Sequence, residues 1–224
     1  MLECIPDVLA PKQIAELMTL VEQIEFIDGK KTAGYRAKRV KNNEQLTTRD
    51  DTRKQIDKIV TGALRANPTF KRVVLPRKIH RPLISRYREG MNYGLHVDDA
   101  RMGTNKEIRT DMSCTLFLSD PAEYDGGELQ FKSPFGEEIE VKLPAGSAVV
   151  YPSSTLHQVL PVTRGERLAA VTWIQSLIRS PEQRAIMNDL VAIQQKLQKM
   201  DPEAPETDLA FQTYANLMRM WSDG

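Results

Sequence analysis

The strongest constraint on the fold is the stretch from about 71 to 176, where prolines and glycines punctuate short apolar runs and several runs alternate with period two. Met112, Cys114, Leu116 and Leu118 alternate with Ser113, Thr115, Phe117 and Ser119. Ile139, Val141 and Leu143 alternate with Glu138, Glu140 and Lys142. Successive side chains of an extended chain point to opposite faces, so these runs predict half-buried strands. Further strands are expected at 147–151, 156–160 and 167–175. The turn sequences Asp125-Gly126-Gly127, Pro134-Phe135-Gly136 and Pro144-Ala145-Gly146 keep the connections short. Short strands at such spacing favour antiparallel sheets that close on each other, a jelly roll.

Helices flank this stretch. Ile14, Leu17, Met18 and Val21 follow Pro11 at the spacing of one buried helical face, which predicts a helix from about 11 to 24. Ile56, Ile59, Val60, Ala63 and Leu64 repeat that spacing behind the acidic pair Asp50 and Asp51, and Asn67-Pro68 should end the second helix. Ser180-Pro181-Glu182-Gln183 has the form of a capping box, and Ile186, Leu190, Ile193, Leu197 and Met200 form an apolar stripe behind it. Asp201 to Pro205 breaks that helix, and another is expected from Leu209 to Trp221. The fold class is therefore α+β with a mainly β core. Residues 1–178 form one domain, with N-terminal helices within 11–65 and the β core at about 71–176, and 179–224 are a helical extension. The stripe on that extension either packs on the core or makes a homo-oligomer contact.

Composition narrows the function. Lys+Arg 31 against Asp+Glu 30 leaves a net charge of +1, which argues against a general nucleic-acid or anionic-membrane binder. Two cysteines, Cys4 and Cys114, make neither a disulfide framework nor a four-thiolate zinc site. The N-terminus lacks the form of a signal peptide and no stretch approaches an apolar membrane span, so a cytoplasmic location is expected. Residues 71 to 88 carry Lys71, Arg72, Arg77, Lys78, Arg81, Arg86 and Arg88 without an acid, a solvated strand edge or a positively charged entrance.

Any imidazole chemistry must come from His80, His96 and His157. His96 and Asp98, two apart on an extended segment, project to one face and can chelate one metal ion, whereas Asp99 points the other way. His157 lies on a later predicted strand. Two histidines and a carboxylate form the facial triad that leaves open positions on Fe(II), although the same donors also suit Zn(II). Arg167 opens a strand on which Ala169, Val171 and Trp173 share its face. A guanidinium there is costly without an anionic partner, and a dicarboxylate fits, with one end on the metal and the other on the arginine. A structural pairing of Arg167 with Glu166 or Glu128 is the alternative. His80 has no acid within two residues and reads as structural or solvent-facing, with a substrate-side role the alternative.

These residues resemble the iron(II)/2-oxoglutarate-dependent dioxygenases of the prolyl 4-hydroxylase superfamily. The segment from Tyr87 through Gly90, Tyr93 and His96 to Asp98 is similar to one motif of that family. Asp125-Gly126-Gly127-Glu128-Leu129 is similar to its Gly-Gly-Glu-Leu turn. His157 through Pro161, Val162 and Gly165 to Arg167 is similar to a third. Over its whole length the chain looks most like the PKHD-type hydroxylases. The resemblance implies a double-stranded β-helix with Fe(II) on His96, Asp98 and His157. It implies 2-oxoglutarate anchored by Arg167 with help from Tyr87, O2 as oxidant, L-ascorbate as an auxiliary reductant and an association with iron uptake. Arginine replaces the lysine of the collagen-type branch at the anchoring position.

The expected reaction is hydroxylation of an unidentified small-molecule or peptidyl substrate, coupled to decarboxylation of 2-oxoglutarate to succinate and CO2. A non-catalytic iron or 2-oxoglutarate sensor is the alternative outside enzymes. Nucleic-acid oxidative demethylases are the alternative within them, but they carry a second arginine where this chain has Trp173.

Overall fold

A computed structural model describes residues 2–32, 34, 37–46, 51–103, 105, 107–133 and 135–223. Asp50 and Pro134, expected at a helix start and in a turn, lie outside the described residues. Among these residues are two antiparallel sheets, a small hairpin and five α-helices.

The larger sheet runs in the order β1 (Glu3–Ile5), β14 (Ala148–Pro152), β10 (Met112–Phe117), β16 (Val162–Ser176), β6 (Leu83–Arg88), β4 (Glu44–Leu46) and β2 (Phe26–Asp28). Two short strands, β5 (Pro76–Ile79) and β11 (Tyr124–Gly126), pair with opposite ends of β16. The smaller sheet runs β13 (Glu138–Val141), β12 (Leu129–Lys132), β15 (Leu156–Val159), β7 (Asn92–His96) and β3 (Lys41–Asn42). A hairpin of β8 (Arg101–Met102) and β9 (Ile108–Arg109) follows β7.

Two cores explain this arrangement. Helices α1 (Pro11–Glu22), α2 (Asp51–Ala66) and α3 (Pro68–Val74) cover one face of the larger sheet, where Leu17, Ile56, Val60, Phe70, Cys114, Leu116 and Ala170 pack together. The other face meets the smaller sheet through Tyr87, Phe117 and Tyr151 on one side and Leu129, Phe131 and Val159 on the other. Strand β10 sits between both cores and is buried at every position, not half-buried as its alternation suggested. Its polar face is buried because Ser113 and Thr115 point between the sheets, where polar chemistry is located.

Two helix starts differ from expectation. Proline does end α2 at Ala66, but Asn67 then caps a new helix by accepting a hydrogen bond from the Phe70 N–H at 2.9 Å. Helix α3 therefore takes residues 71–74 from the expected β region, and left-handed Leu75 (φ 47°) closes it before β5. Helix α4 (Pro181–Met200) begins at the predicted cap, where Ser180 accepts from the Gln183 N–H at 3.2 Å and its own proton goes to Glu182. Helix α5 (Pro205–Trp221) starts earlier than Leu209 because Pro205 occupies its first position. On α4 the buried residues are Arg184, Met187 and Gln194, while in the apolar stripe Ile186 49%, Ile193 51% and Met200 72% are exposed and Leu190 and Leu197 are half-buried. Arg184 can be buried because its guanidinium donates to the carbonyls of Ile178 and Arg179, both at 2.8 Å.

The basic stretch is an edge only in part: Arg77 and Lys78 are exposed on β5, which among the described residues pairs with β16 alone. Strand β6 lies inside the sheet, and Arg86 and Arg88 reach Glu44 and Glu166 while Arg81 binds Asp57 at 2.6 Å. No helix among the described residues is long and apolar enough to cross a membrane.

Candidate metal centre

Strands β7 and β15 pair so that His96 and His157 are directly opposed. The chain beyond β7 keeps its alternation: the His96 and Asp98 side chains are 9% and 8% exposed, whereas intervening Val97 is 53% exposed. Asp99 is exposed. One donor atom from each of His96, Asp98 and His157 lies within 4.8 Å of the other two, a cluster that could hold a metal ion. Nε2 of His96 is 3.9 Å from Oδ1 of Asp98, and Nε2 of His157 is 3.9 Å from Oδ2 of Asp98.

Both imidazoles are oriented by their own strands. The Nδ1 of His96 is 2.8 Å from the Gly94 carbonyl and that of His157 is 2.9 Å from the Thr155 carbonyl. A carbonyl only accepts, so each Nδ1–H donates and each Nε2 keeps its lone pair toward the cluster. Burial, with the neighbouring His157 adding to it, lowers the His96 pKa to about 4, which keeps that imidazole neutral. Tyr93 stacks on the His96 ring at 3.7 Å. Asp98 accepts a 2.5 Å hydrogen bond from the Ser113 hydroxyl. The Tyr151 hydroxyl lies 3.3 Å from His157 Nε2.

The cluster opens onto a cavity of about 590 Å³ that is also lined by Tyr87, Tyr151, Arg167 and Trp173. Arg167 is 1% exposed, and its guanidinium stands 5.2 Å from the Tyr87 ring centre and 5.3 Å from that of Phe117. Its Nε and Nη2 are buried without a hydrogen bond of ordinary geometry, and the buried Tyr124 hydroxyl is a polar group beside the guanidinium. The acids considered as structural partners are engaged elsewhere: Glu166 with Arg86 and Arg88, and Glu128 with Lys142. The Gly126-Gly127 turn packs against this corner. A Cβ on Gly126 (φ +69°) would lie 2.1 Å from the Pro161 carbonyl oxygen, and one on Gly127 (φ +67°) 3.0 Å from Arg167 Cδ. That is the physical reason for two glycines there.

Several residues of the site and its surroundings had no signal in the sequence. Ser113 and Tyr151 look like ordinary strand residues until the sheets are paired. Lys41, 5% exposed and with its pKa lowered to about 8 by burial, comes from the short strand β3, which no periodicity marked. His80 lies at the cavity wall, not in solvent, with its ring edge on Trp173 at 5.7 Å and its Nδ1 donating to the Arg81 carbonyl at 2.8 Å.

The donor set suits a divalent metal, and the unpaired buried guanidinium beside it suits a carboxylate. Comparison with known proteins agrees. Residues 82–175 match the family model of the 2OG-Fe(II) oxygenase superfamily. A PKHD-type hydroxylase of a Synechococcus strain is 46% identical over 224 residues, covering 100% of both chains. One from Maricaulis maris is 49% identical over 214 residues, covering 95% of this chain and 94% of that one. Among solved structures, a prolyl-4-hydroxylase of Pseudomonas putida is similar in fold, with TM-score 0.52 and 20% identity over 78% of this chain and 92% of that one. A prolyl hydroxylase of Trichoplax adhaerens matches with TM-score 0.56 and 15% identity over 83% and 86%. The chain belongs to the PKHD-type hydroxylases of the 2OG-Fe(II) oxygenase superfamily.

Proposed function

We propose that His96, Asp98 and His157 hold Fe(II) and that Arg167, assisted by Tyr87, binds the distal carboxylate of 2-oxoglutarate in an Fe(II)/2-oxoglutarate-dependent hydroxylase. The observation that carries this reading is Arg167: a buried cation whose Nε and Nη2 make no hydrogen bond of ordinary geometry, facing the same cavity as the His/Asp/His cluster. Such a group is expensive unless an anion joins it, and a planar guanidinium matches a carboxylate in two-pronged geometry. When bound, Fe(II) supplies the dioxygen activation by which 2-oxoglutarate becomes succinate and CO2 and one oxygen atom enters the substrate.

The remaining work belongs to the chain. Gly94 and Thr155 hold the two imidazoles in the tautomer that offers Nε2. Arg167 and Tyr87 fix the co-substrate end to end, so that its reactive end meets the cluster in one orientation. The apolar wall of Leu129, Val159 and Val171 limits water in the cavity. The volume of about 590 Å³ leaves room beyond a five-carbon diacid for part of a second molecule. We assign that space to a small-molecule or peptidyl substrate. Trp173 in place of a second arginine, and the near-neutral charge, speak against nucleic acid and against a membrane surface.

The sheet order supports a double-stranded β-helix, or jelly roll, in residues 1–178. We further assign a cytoplasmic location, L-ascorbate as the reductant that rescues oxidised iron, and a homo-oligomer contact on the exposed apolar face of α4. The test of function is succinate formation from 2-oxoglutarate with Fe(II) and O2, with and without a cell extract as the source of substrate. We expect extract-stimulated succinate that disappears in His157→Ala and Arg167→Ala. Binding of both ligands without any succinate would instead make the protein a sensor.

A further inference from the structure

Asp98 poses a mechanical problem. It is the cluster's carboxylate, yet β7 ends at His96, so no strand pairing of that element fixes Asp98 in place. Two bonds from neighbouring elements do. The Asp98 N–H donates to the Ser153 carbonyl at 3.3 Å, and the Ser113 hydroxyl donates to Asp98 Oδ2 at 2.5 Å. Ser113 Oγ also lies 2.8 Å from Ser153 Oγ. A hydroxyl has one proton, and Ser113 has given its proton to a carboxylate that, when ionised, can only accept. The Ser153 hydroxyl must therefore be the donor to Ser113. The result is a closed ring in which Ser153 holds Asp98 by its backbone and, through Ser113, by its side chain. Both serines are buried, at 0% and 3% exposure, away from competing water.

We propose that Ser113 and Ser153 form a two-hydroxyl relay that makes Asp98 a one-oxygen ligand, and so keeps a coordination position open for 2-oxoglutarate. This rests on the reading of His96, Asp98 and His157 as the iron site. A carboxylate with both oxygens free can chelate a cation through both. Oδ2 lies 3.9 Å from His157 Nε2 but already accepts the Ser113 proton, which weakens it as a donor, whereas Oδ1, 3.9 Å from His96 Nε2, is the stronger donor of the two. Three protein donors then leave adjacent positions for a bidentate co-substrate. Ser113 and Ser153 are positioning residues: they touch neither iron nor substrate and act through Asp98.

The two affinities separate this role from a merely structural one. Loss of Ser113 frees Oδ2 to compete for the position that 2-oxoglutarate needs, so co-substrate binding suffers more than metal binding. Anaerobic titration measures both in the full-length protein, Fe(II) first and then 2-oxoglutarate through the visible charge-transfer band, with the unfolding midpoint as a check on folding. Ser113→Ala is expected to weaken 2-oxoglutarate binding by about tenfold or more, and Fe(II) binding by less. Ser153→Ala should do the same more mildly, and Ser113→Thr, which restores the hydroxyl, should return both affinities toward wild type. If Ser113→Ala does not fold, Ser153→Ala carries the test, because it leaves the Ser113 hydroxyl in place. Equal losses of metal and co-substrate affinity, or affinities in both alanine variants within about twofold of wild type, overturn the relay while leaving the iron reading intact. A wild-type protein that binds neither Fe(II) nor 2-oxoglutarate overturns both.

Discussion

Arg167 shows how function can cost stability at a single residue. Its guanidinium is desolvated between Tyr87 and Phe117, and its Nε and Nη2 make no hydrogen bond of ordinary geometry. Removing such a charge relieves the ligand-free fold, whereas removing it from the bound state deletes charge-assisted hydrogen bonds of about 1.5–3 kcal/mol each. Arg167→Met should therefore keep or raise the unfolding midpoint of the ligand-free protein and raise the KM for 2-oxoglutarate by about tenfold or more. A lower midpoint with an unchanged KM would show that the arginine is structural.

The histidines add a pH dependence with a definite sign. Burial lowers the His96 pKa from 6.5 to about 4 and also lowers that of His80. Their folded-state pKa values lie below the unfolded ones, so as pH falls through about 6.5 the unfolded chain binds protons first. Metal-free stability is thus fully present above about pH 6.5 and declines as pH falls toward 4. Unfolding midpoints taken between about pH 7.5 and 5 should fall, less steeply in His80→Asn. A flat or rising midpoint contradicts the assignment of neutral, buried imidazoles.

At the scale of elements, the legible features were those with a short repeat or a local cap. Ile56, Val60 and Leu64 announced α2, and all three are 0% exposed. Met112 to Phe117 announced a strand, but its depth of burial depends on sheets whose pairing spans distant residues. Likewise the site residues Ser113 and Ser153 meet only because β10 and β14 pair, a relation that local pattern does not encode. The α4 stripe left core packing and a contact between copies equally open, because the buried face did not have to be apolar: Arg184 and Gln194 are buried through hydrogen bonds to carbonyls. The Gly126-Gly127 turn was legible as a motif, and the structure supplies its cause. Gly126→Ala adds a Cβ that meets the Pro161 carbonyl oxygen at a positive φ. It should destabilise by about 1–3 kcal/mol and displace the turn that packs on Arg167. Chemical denaturation measures the first effect and 2-oxoglutarate affinity the second; wild-type values for both would contradict it.

At the scale of the molecule, the C-terminal helices are joined to the β core. Met187 of α4 packs with Leu75 and Ile178, and Arg109, beside the cavity-lining residue Ile108, binds Asp223 at 2.6 Å. Truncation after residue 178 should therefore lower the unfolding midpoint and expose apolar surface to a hydrophobic dye, and an unchanged midpoint would make the extension an independent unit. The outward face bearing Ile186, Ile193 and Met200 is the assigned contact between copies. Sedimentation of wild type and Ile193→Glu measures it, with an oligomer expected only for wild type and a monomeric wild type ruling the contact out.

The central claim is that His96, Asp98 and His157 hold Fe(II) beside a 2-oxoglutarate site anchored by Arg167. Its most direct test is anaerobic addition of 2-oxoglutarate to the Fe(II)-loaded protein, read by visible absorption. A charge-transfer band that saturates near one equivalent in wild type, and is lost in His157→Ala and shifted to much higher concentration in Arg167→Met, is the predicted result. No band in wild type, or a band of the same strength and midpoint in both variants, would contradict the account.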